Sequence, residues 1–252
     1  MAVISKNMLR TLLDGDVPLV AVSFGDSDNE RLAQEAKDAG VDIAELRIDG
    51  FSRTDQDHVL AQVRAFASMP VLATVRSAYE GGDWKGTEQE RLALFRAIAP
   101  HVHAVDIELS SREILAEVVA AAHEHDTVAL ISYHNFDLTP SSEELEAVIA
   151  DAKEAGADIV KLSTMATSAD DVKRLAALLL AAGDDVPLIV IAMGAEGCAS
   201  RVFFPVLGSR ITYSFFGTSF APGQLAFAET SGLLRTFHPG FDRRMTARRR
   251  TA

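Results

Sequence analysis

The sequence predicts an α/β protein folded as a single-domain (β/α)8 TIM barrel. Eight short runs rich in Val, Ile and Leu recur along the 252 residues, each followed by a polar turn and most by an Ala-rich amphipathic segment. Their spacing, roughly 23 to 33 residues, suits a strand plus its crossover helix. The runs are almost continuously apolar, as expected of parallel strands covered on both faces. An open doubly wound sheet usually has fewer strands and a dinucleotide fingerprint, and the sequence contains neither G-x-G-x-x-G nor a Walker A loop.

In chain order the runs are PLVAVSF (18–24), DIAELRI (42–48), PVLATVR (70–76), HAVDIEL (103–109), TVALISYH (127–134), ADIVKLS (157–163), VPLIVIAM (186–193) and RITYSFF (210–216). Helix-start boxes stand in phase with them at Ser27/Glu30, Thr54/Asp57, Thr87/Glu90, Ser110/Glu113, Ser141/Glu144 and Ser168/Asp171. In each, the hydroxyl can cap an orphan backbone N–H and the acid suits the helix dipole. No linker or break in composition divides the chain. Residues 1–242 are therefore read as one barrel domain and 243–252 as a basic, disordered tail.

The formal charge is −12, but RRMTARRRTA (243–252) holds five arginines and no acid, so 19 basic residues face 36 acidic ones over the remainder. A body at −17 argues against a nucleic-acid partner. Cys198 is the single cysteine, which excludes an internal disulfide or a cysteine-cluster metal site and fits a reducing cytoplasm. No stretch reaches the length of an apolar membrane span, and MAVISKNMLR lacks the order of a signal peptide. A cytoplasmic protein without a membrane partner is expected.

In such a barrel, chemistry sits at the C-terminal ends of the strands and in the loops beyond them. The polar residues there are Ser23; Glu45, Arg47 and Asp49; Arg76 and Glu80; Asp106 and Glu108; His134; Lys161; and Arg201 and Gln224. A lysine desolvated beside other cations can present a neutral amine that attacks a carbonyl, which makes Lys161 a candidate nucleophile. His134, one strand earlier, is the natural proton carrier near neutral pH. Arg47, Arg76 and Arg201 converge from three units as fork-shaped donors for a carboxylate or phosphate. Glu45 and Asp49 flank Arg47 on one strand face, where they can hold it or accept substrate hydroxyls. His101 and His103 lie at the opposite end of the barrel, and His123 and His125 at a helix end, so no metal site is expected.

At these residues the sequence resembles the type I 3-dehydroquinate dehydratases. ELRID (45–49), TVRSAYEGG (74–82), SYHNF (132–136), DIVKLS (158–163), MGAEGCASR (193–201) and APGQ (221–224) carry the resemblance over nearly the whole chain. It implies a cofactor-free, homodimeric lyase of aromatic amino-acid biosynthesis that dehydrates 3-dehydroquinate through a lysine Schiff base. By the family pattern Lys161 forms the imine, His134 moves the protons and Glu80 orients His134. Arg201 clamps the substrate carboxylate, while Ser23, Glu45, Arg47, Arg76 and Gln224 bind its hydroxyls and carbonyl region. The glycine-rich EGGDWKG (80–86) then reads as a mobile loop over the site.

Two departures stand out. Asn135 replaces the family's usual acid after the histidine, which would change a contact to the base, and Phe220 precedes APGQ where the family often has Ser or Ala. A related cyclic hydroxy-keto acid therefore remains an alternative substrate. Among other classes, a Schiff-base aldolase would need a phosphate site after the last two strands, where Arg201 and Gln224 stand instead. A silent scaffold barrel would not need this set of polar residues.

Overall fold

The structure, a computed structural model, describes residues 4–183 and 185–251. Eight parallel strands follow one another around the molecule: β1 (Leu19–Phe24), β2 (Ile43–Arg47), β3 (Val71–Thr74), β4 (Ala104–Glu108), β5 (Val128–Asn135), β6 (Ile159–Met165), β7 (Leu188–Met193) and β8 (Ile211–Phe215). A two-residue β9 (Leu225–Ala226) adds to β8. All eight apolar runs thus form strands, each within two residues of the expected bounds. The ladder is continuous from β7 back through β1 to β8. Between β7 and β8 the seam is closed more sparsely, by the Arg210 N–H donating to the Leu188 carbonyl at 2.9 Å and the Val190 N–H donating to Ser209 Oγ at 3.0 Å.

Two apolar layers hold this barrel. The outer one packs the strands against the surrounding helices through residues such as Val22, Leu46, Val105, Phe95 and Leu175. The inner one fills the N-terminal half of the lumen with Leu19, Ile43, Leu72, Leu130, Ile159 and Ile189. A helix not foreseen from the sequence, α1 (Met8–Asp14), stops the bottom by inserting Leu9 and Leu13, an i, i+4 pair on one face. Side chains alternate along each strand. Two positions past these inner residues, or four past Leu19 on β1, the same faces therefore present Ser23, Glu45, Thr74, Ser132, Lys161 and Ile191, and the floor turns from apolar to largely polar.

The helices follow α2 (Asn29–Ala39), α3 (Gln56–Ala65), α4 (Glu88–Ile98), α5 (Leu115–Glu124), α6 (Ser142–Glu154), α7 (Ala169–Ala181), α8 (Ser200–Val206), α9 (Phe227–Phe237) and α10 (Pro239–Thr251). Reciprocal capping boxes form at Thr87/Glu90, Ser141/Glu144 and Ser168/Asp171. The other three expected boxes do not. Asp28 stands before α2, Asp55 caps α3 by accepting from the His58 N–H, and Ser110 turns into the barrel mouth.

The expectation of a disordered tail from 243 is corrected over residues 243–251, which continue α10; Ala252 lies outside the described residues. Arg244 and Arg248, one helical turn apart, both reach Asp42 at 2.9 Å, and Arg244 also donates to the Pro18 carbonyl. Asp42 in turn accepts the Val20 N–H at 2.8 Å, so the helix straps the entrances of β1 and β2.

Candidate active site

One pocket opens at the C-terminal end of the strands. It contains every residue singled out for catalysis or binding: Lys161, His134, Glu80, Ser23, Glu45, Arg47, Arg76, Arg201 and Gln224. Tertiary folding brings them there from seven strands and the loops that follow.

Lys161 and His134 project from neighbouring strands. In the parallel register Ser132 lies opposite Lys161 and His134 opposite Ser163, so the imidazole stands one inward layer nearer the mouth than the amine. Lys161 is 5% exposed. Its Nζ lies 3.1 Å from Asp106 Oδ2 and 4.3 Å from the centre of the Tyr213 ring. Asp106 is fully buried and also meets Arg76 at 2.7 Å and Ser132 Oγ at 2.6 Å. Burial alone would push the Asp106 carboxyl up, but Arg76 and then Lys161 outweigh it and hold the group far below the ordinary carboxylate range. The sequence marked Asp106 only as a polar residue late in a strand; here it anchors both Lys161 and Arg76.

Glu80 places the histidine. One carboxylate oxygen meets His134 Nδ1 at 2.9 Å and accepts the His134 backbone N–H at 2.9 Å, while the other accepts from Ser110 Oγ. A carboxylate at Nδ1 favours the tautomer whose Nε2 lone pair faces the pocket. Burial, reinforced by Arg76 and Lys161, lowers the imidazole well below its usual value, and burial raises Glu80 to about 7. Both directions disfavour charge separation across the pair, so the imidazole itself stays uncharged and, once Glu80 is ionised, serves as a base.

Local backbone geometry brings Glu80 there. Gly81 has φ +75° and lies under the Phe136 ring, and a Cβ on Gly82 would stand 2.1 Å from the Arg76 carbonyl oxygen. The Gly82 and Asp83 N–H groups donate to the Ser77 carbonyl and to Asp49. These glycines serve close approach, and the loop is pinned rather than free at this end. Phe136 stacks on His134 with centroids 6.3 Å apart.

Arg76 gives Nη1 to Glu108 at 2.8 Å and to Ser132 at 2.7 Å. Desolvation opposes its charge, but Asp106 and Glu108 overcompensate and its pKa lies above the ordinary arginine value. Glu108 passes the charge outward to Arg91 at 2.7 Å. Arg47 pairs with both oxygens of Asp49, at 3.0 and 2.7 Å. Glu45 accepts from Ser23 and, at 2.9 Å, from Thr74.

Arg201 differs from these. It is 2% exposed, its Nη2 donates to the Pro222 carbonyl at 2.9 Å, and its buried Nε has no partner among the described residues. Burial without an acid brings its pKa down to about 10, still cationic at neutral pH. Gln224 spends its amide oxygen on the loop, accepting from the Phe220 N–H at 2.8 Å, the Ala221 N–H at 3.2 Å and Ser219 Oγ at 3.1 Å. Phe220 caps Arg47, with the guanidinium 5.9 Å from the ring centre. Asn135 turns away from His134 and accepts the N–H groups of Asp137 and Leu138, so it builds the next turn instead of touching the base.

Comparison with known proteins agrees with this layout. The profile described as type I 3-dehydroquinase matches residues 17–240. The chain belongs to the type I 3-dehydroquinase family. A curated relative from Methanothrix thermoacetophila, named 3-dehydroquinate dehydratase, is 36% identical over 220 residues, covering 86% of this chain and 91% of that protein. The 3-dehydroquinate dehydratase of Methanothermobacter thermautotrophicus is 38% identical over 208 residues, 82% of this chain and 90% of its own length. Among solved structures, the crystal structure of the Geobacillus kaustophilus 3-dehydroquinate dehydratase superposes with a TM-score of 0.84 at 32% identity, over 89% of this chain and 93% of that one. The barrel is thus the family's fold, and the two-residue β9 and the strapped C-terminal helix are details the sequence runs did not foretell.

Proposed function

We propose that this enzyme dehydrates 3-dehydroquinate to 3-dehydroshikimate, a step of the shikimate pathway, through a covalent imine on Lys161. The observation that carries the reading is one pocket in which an amine, a neutral imidazole backed by a carboxylate, and a buried arginine without an acid face the same space.

The substrate carboxylate enters beside Arg201, whose charge no acid among the described residues neutralises. His134 takes a proton from the Lys161 ammonium that pairs with Asp106. The freed amine adds to the C3 ketone and passes a proton from nitrogen to the new alkoxide, and this hydroxyl leaves as water with the proton His134 returns. The resulting iminium withdraws electrons from C2. His134 then takes the C2 proton as its Nδ1–H leans on Glu80, and the electron pair moves to the imine nitrogen. Collapse of this enamine expels the C1 hydroxyl, which departs as water with the proton His134 holds. Water then releases 3-dehydroshikimate and restores the amine.

Asp106 and the Tyr213 ring fix the amine, so the iminium forms where a carboxylate and a π-face already stabilise positive charge. Ser23, Glu45, Arg47, Arg76 and Gln224 bind the ring hydroxyls and the carbonyl region. An aldolase would need an anion site of backbone N–H groups after β7 and β8, whereas the buried Arg201 suits a carboxylate. The same reading includes a homodimer acting in the cytoplasm on this small carboxylate, with neither nucleic acid nor membrane as partner. Among the described residues no helix is long and apolar enough to cross a membrane. Purified protein mixed with 3-dehydroquinate should raise the enone absorbance of 3-dehydroshikimate; no rise, with correctly folded protein, overturns the reading.

A further inference from the structure

Two hydroxyls around Lys161 are uncommitted. Tyr213 Oη is sealed in the lumen without a partner. The other is Ser163, which is 3% exposed, lines the pocket and makes no side-chain hydrogen bond among the described residues. Every other inward-facing serine on the strands is occupied: Ser23 by Glu45 and Ser132 by Asp106 and Arg76. A buried hydroxyl without a partner costs free energy unless something polar fills the space it faces.

Its place in the sheet says what that something is. Ser163 follows Lys161 by two residues on β6, so both point inward with Cα atoms about 6.6 Å apart along the strand. On one side it is paired in register with His134, and on the other with Ile191. Beyond Ile191 on the same inward face comes Met193, also in the pocket lining. Ser163 is therefore, among the described residues, the one hydroxyl of this apolar flank, a layer above the amine and level with the imidazole.

We propose that the Ser163 hydroxyl is a substrate-contacting group of the imine steps, donating to the oxygen carried on the carbon that Lys161 attacks. The inference rests on the Schiff-base reading above. When Nζ bonds to the ketone carbon, the attacking nitrogen gives up a proton to the carbonyl oxygen, which becomes the carbinolamine hydroxyl. That C–O bond then breaks as His134 supplies the second proton, leaving the iminium and one water. The flank formed by Ile191 and Met193 offers this oxygen no hydrogen bond, so Ser163 holds it within reach of His134. It holds the same position for the water that returns to hydrolyse the product imine.

Ser163→Ala and Ser163→Thr would be compared with the unaltered enzyme by three readings: exchange of the substrate's ketone oxygen with 18O-water, the rate at which borohydride-trapped adduct appears on Lys161, and the C2-deuterium isotope effect on kcat. Ser163→Ala should slow exchange and trapping about tenfold, the scale of one hydrogen bond in a polar step, and shrink the isotope effect as imine formation becomes limiting. Ser163→Thr, which keeps the hydroxyl, should restore all three. Exchange, trapping and isotope effect all unchanged in Ser163→Ala overturn the proposal while the Lys161 imine stands. Absence of any adduct in the unaltered enzyme overturns the imine reading and this inference with it.

Discussion

The two flanks of the barrel mouth are built on opposite electrostatic plans. On the β2 to β5 side each arginine is answered by a carboxylate within the protein: Arg47 by Asp49, Arg76 by Asp106 and Glu108, and Arg91 by Glu108 again. On the β7 to β8 side Arg201 is buried with a single carbonyl partner and an unpaired Nε. An arginine whose forks are filled shapes a site, but only one left unfilled has donors to offer an anion. The net charge of the molecule says nothing about this, since a protein at −12 can still aim one uncompensated cation at a small carboxylate.

Removing each arginine separates the two plans. Arg76→Leu leaves the buried Asp106 and Glu108 sharing only Lys161 and Arg91 as cations, and chemical denaturation should show a loss of about 3–5 kcal/mol, the usual cost of breaking a buried pair from one side. Next in size, Arg201→Leu should lower kcat/KM by about 10²-fold or more, because a desolvated charge-assisted contact is lost, while the melting temperature holds or rises. If Arg201→Leu unfolds the protein as readily as Arg76→Leu does, the two flanks are not different in kind.

The smallest effect concerns the Glu80–His134 pair within the first flank. Glu80 titrates at about 7, raised by burial, and it supports the imidazole through Nδ1. As pH falls through that value the Glu80–His134 pair gains a proton and His134 Nε2 stops being a base, so kcat/KM should fall on the acid side near pH 7. Glu80→Gln withdraws the anion that stabilises the imidazolium, so the acid limb should move to lower pH as kcat drops. An acid limb that stays in place would show that the pair does not act as a unit.

Much of this was legible in the sequence, for physical reasons that can be named. Parallel strands covered by helices must be apolar outward, so the eight runs were plain, and polar residues late in them could only face the mouth. Lys161 and His134 followed from that, and Arg201 from its place in the segment after β7. Pairing within the mouth was not legible, because Asp106 serving both Lys161 and Arg76 depends on which side chains meet across β3 to β6. Ser110 satisfied the pattern of a helix cap yet is bound to Glu80 instead, a competition decided by tertiary contact. The arginine tail misled through its composition; the four-residue spacing of Arg244 and Arg248 was the available sign of a helix face. Leu9 and Leu13 carried the same spacing for α1.

The central claim is that Lys161, on β6 between the two flanks, is the nucleophile. The protein would be incubated with 3-dehydroquinate, reduced with borohydride and weighed intact, beside Lys161→Ala treated identically. One reduced substrate adduct per chain, mapped to Lys161 and absent from Lys161→Ala, is the expected result. A chain that turns over substrate with no adduct, or an adduct that survives in Lys161→Ala, would contradict it.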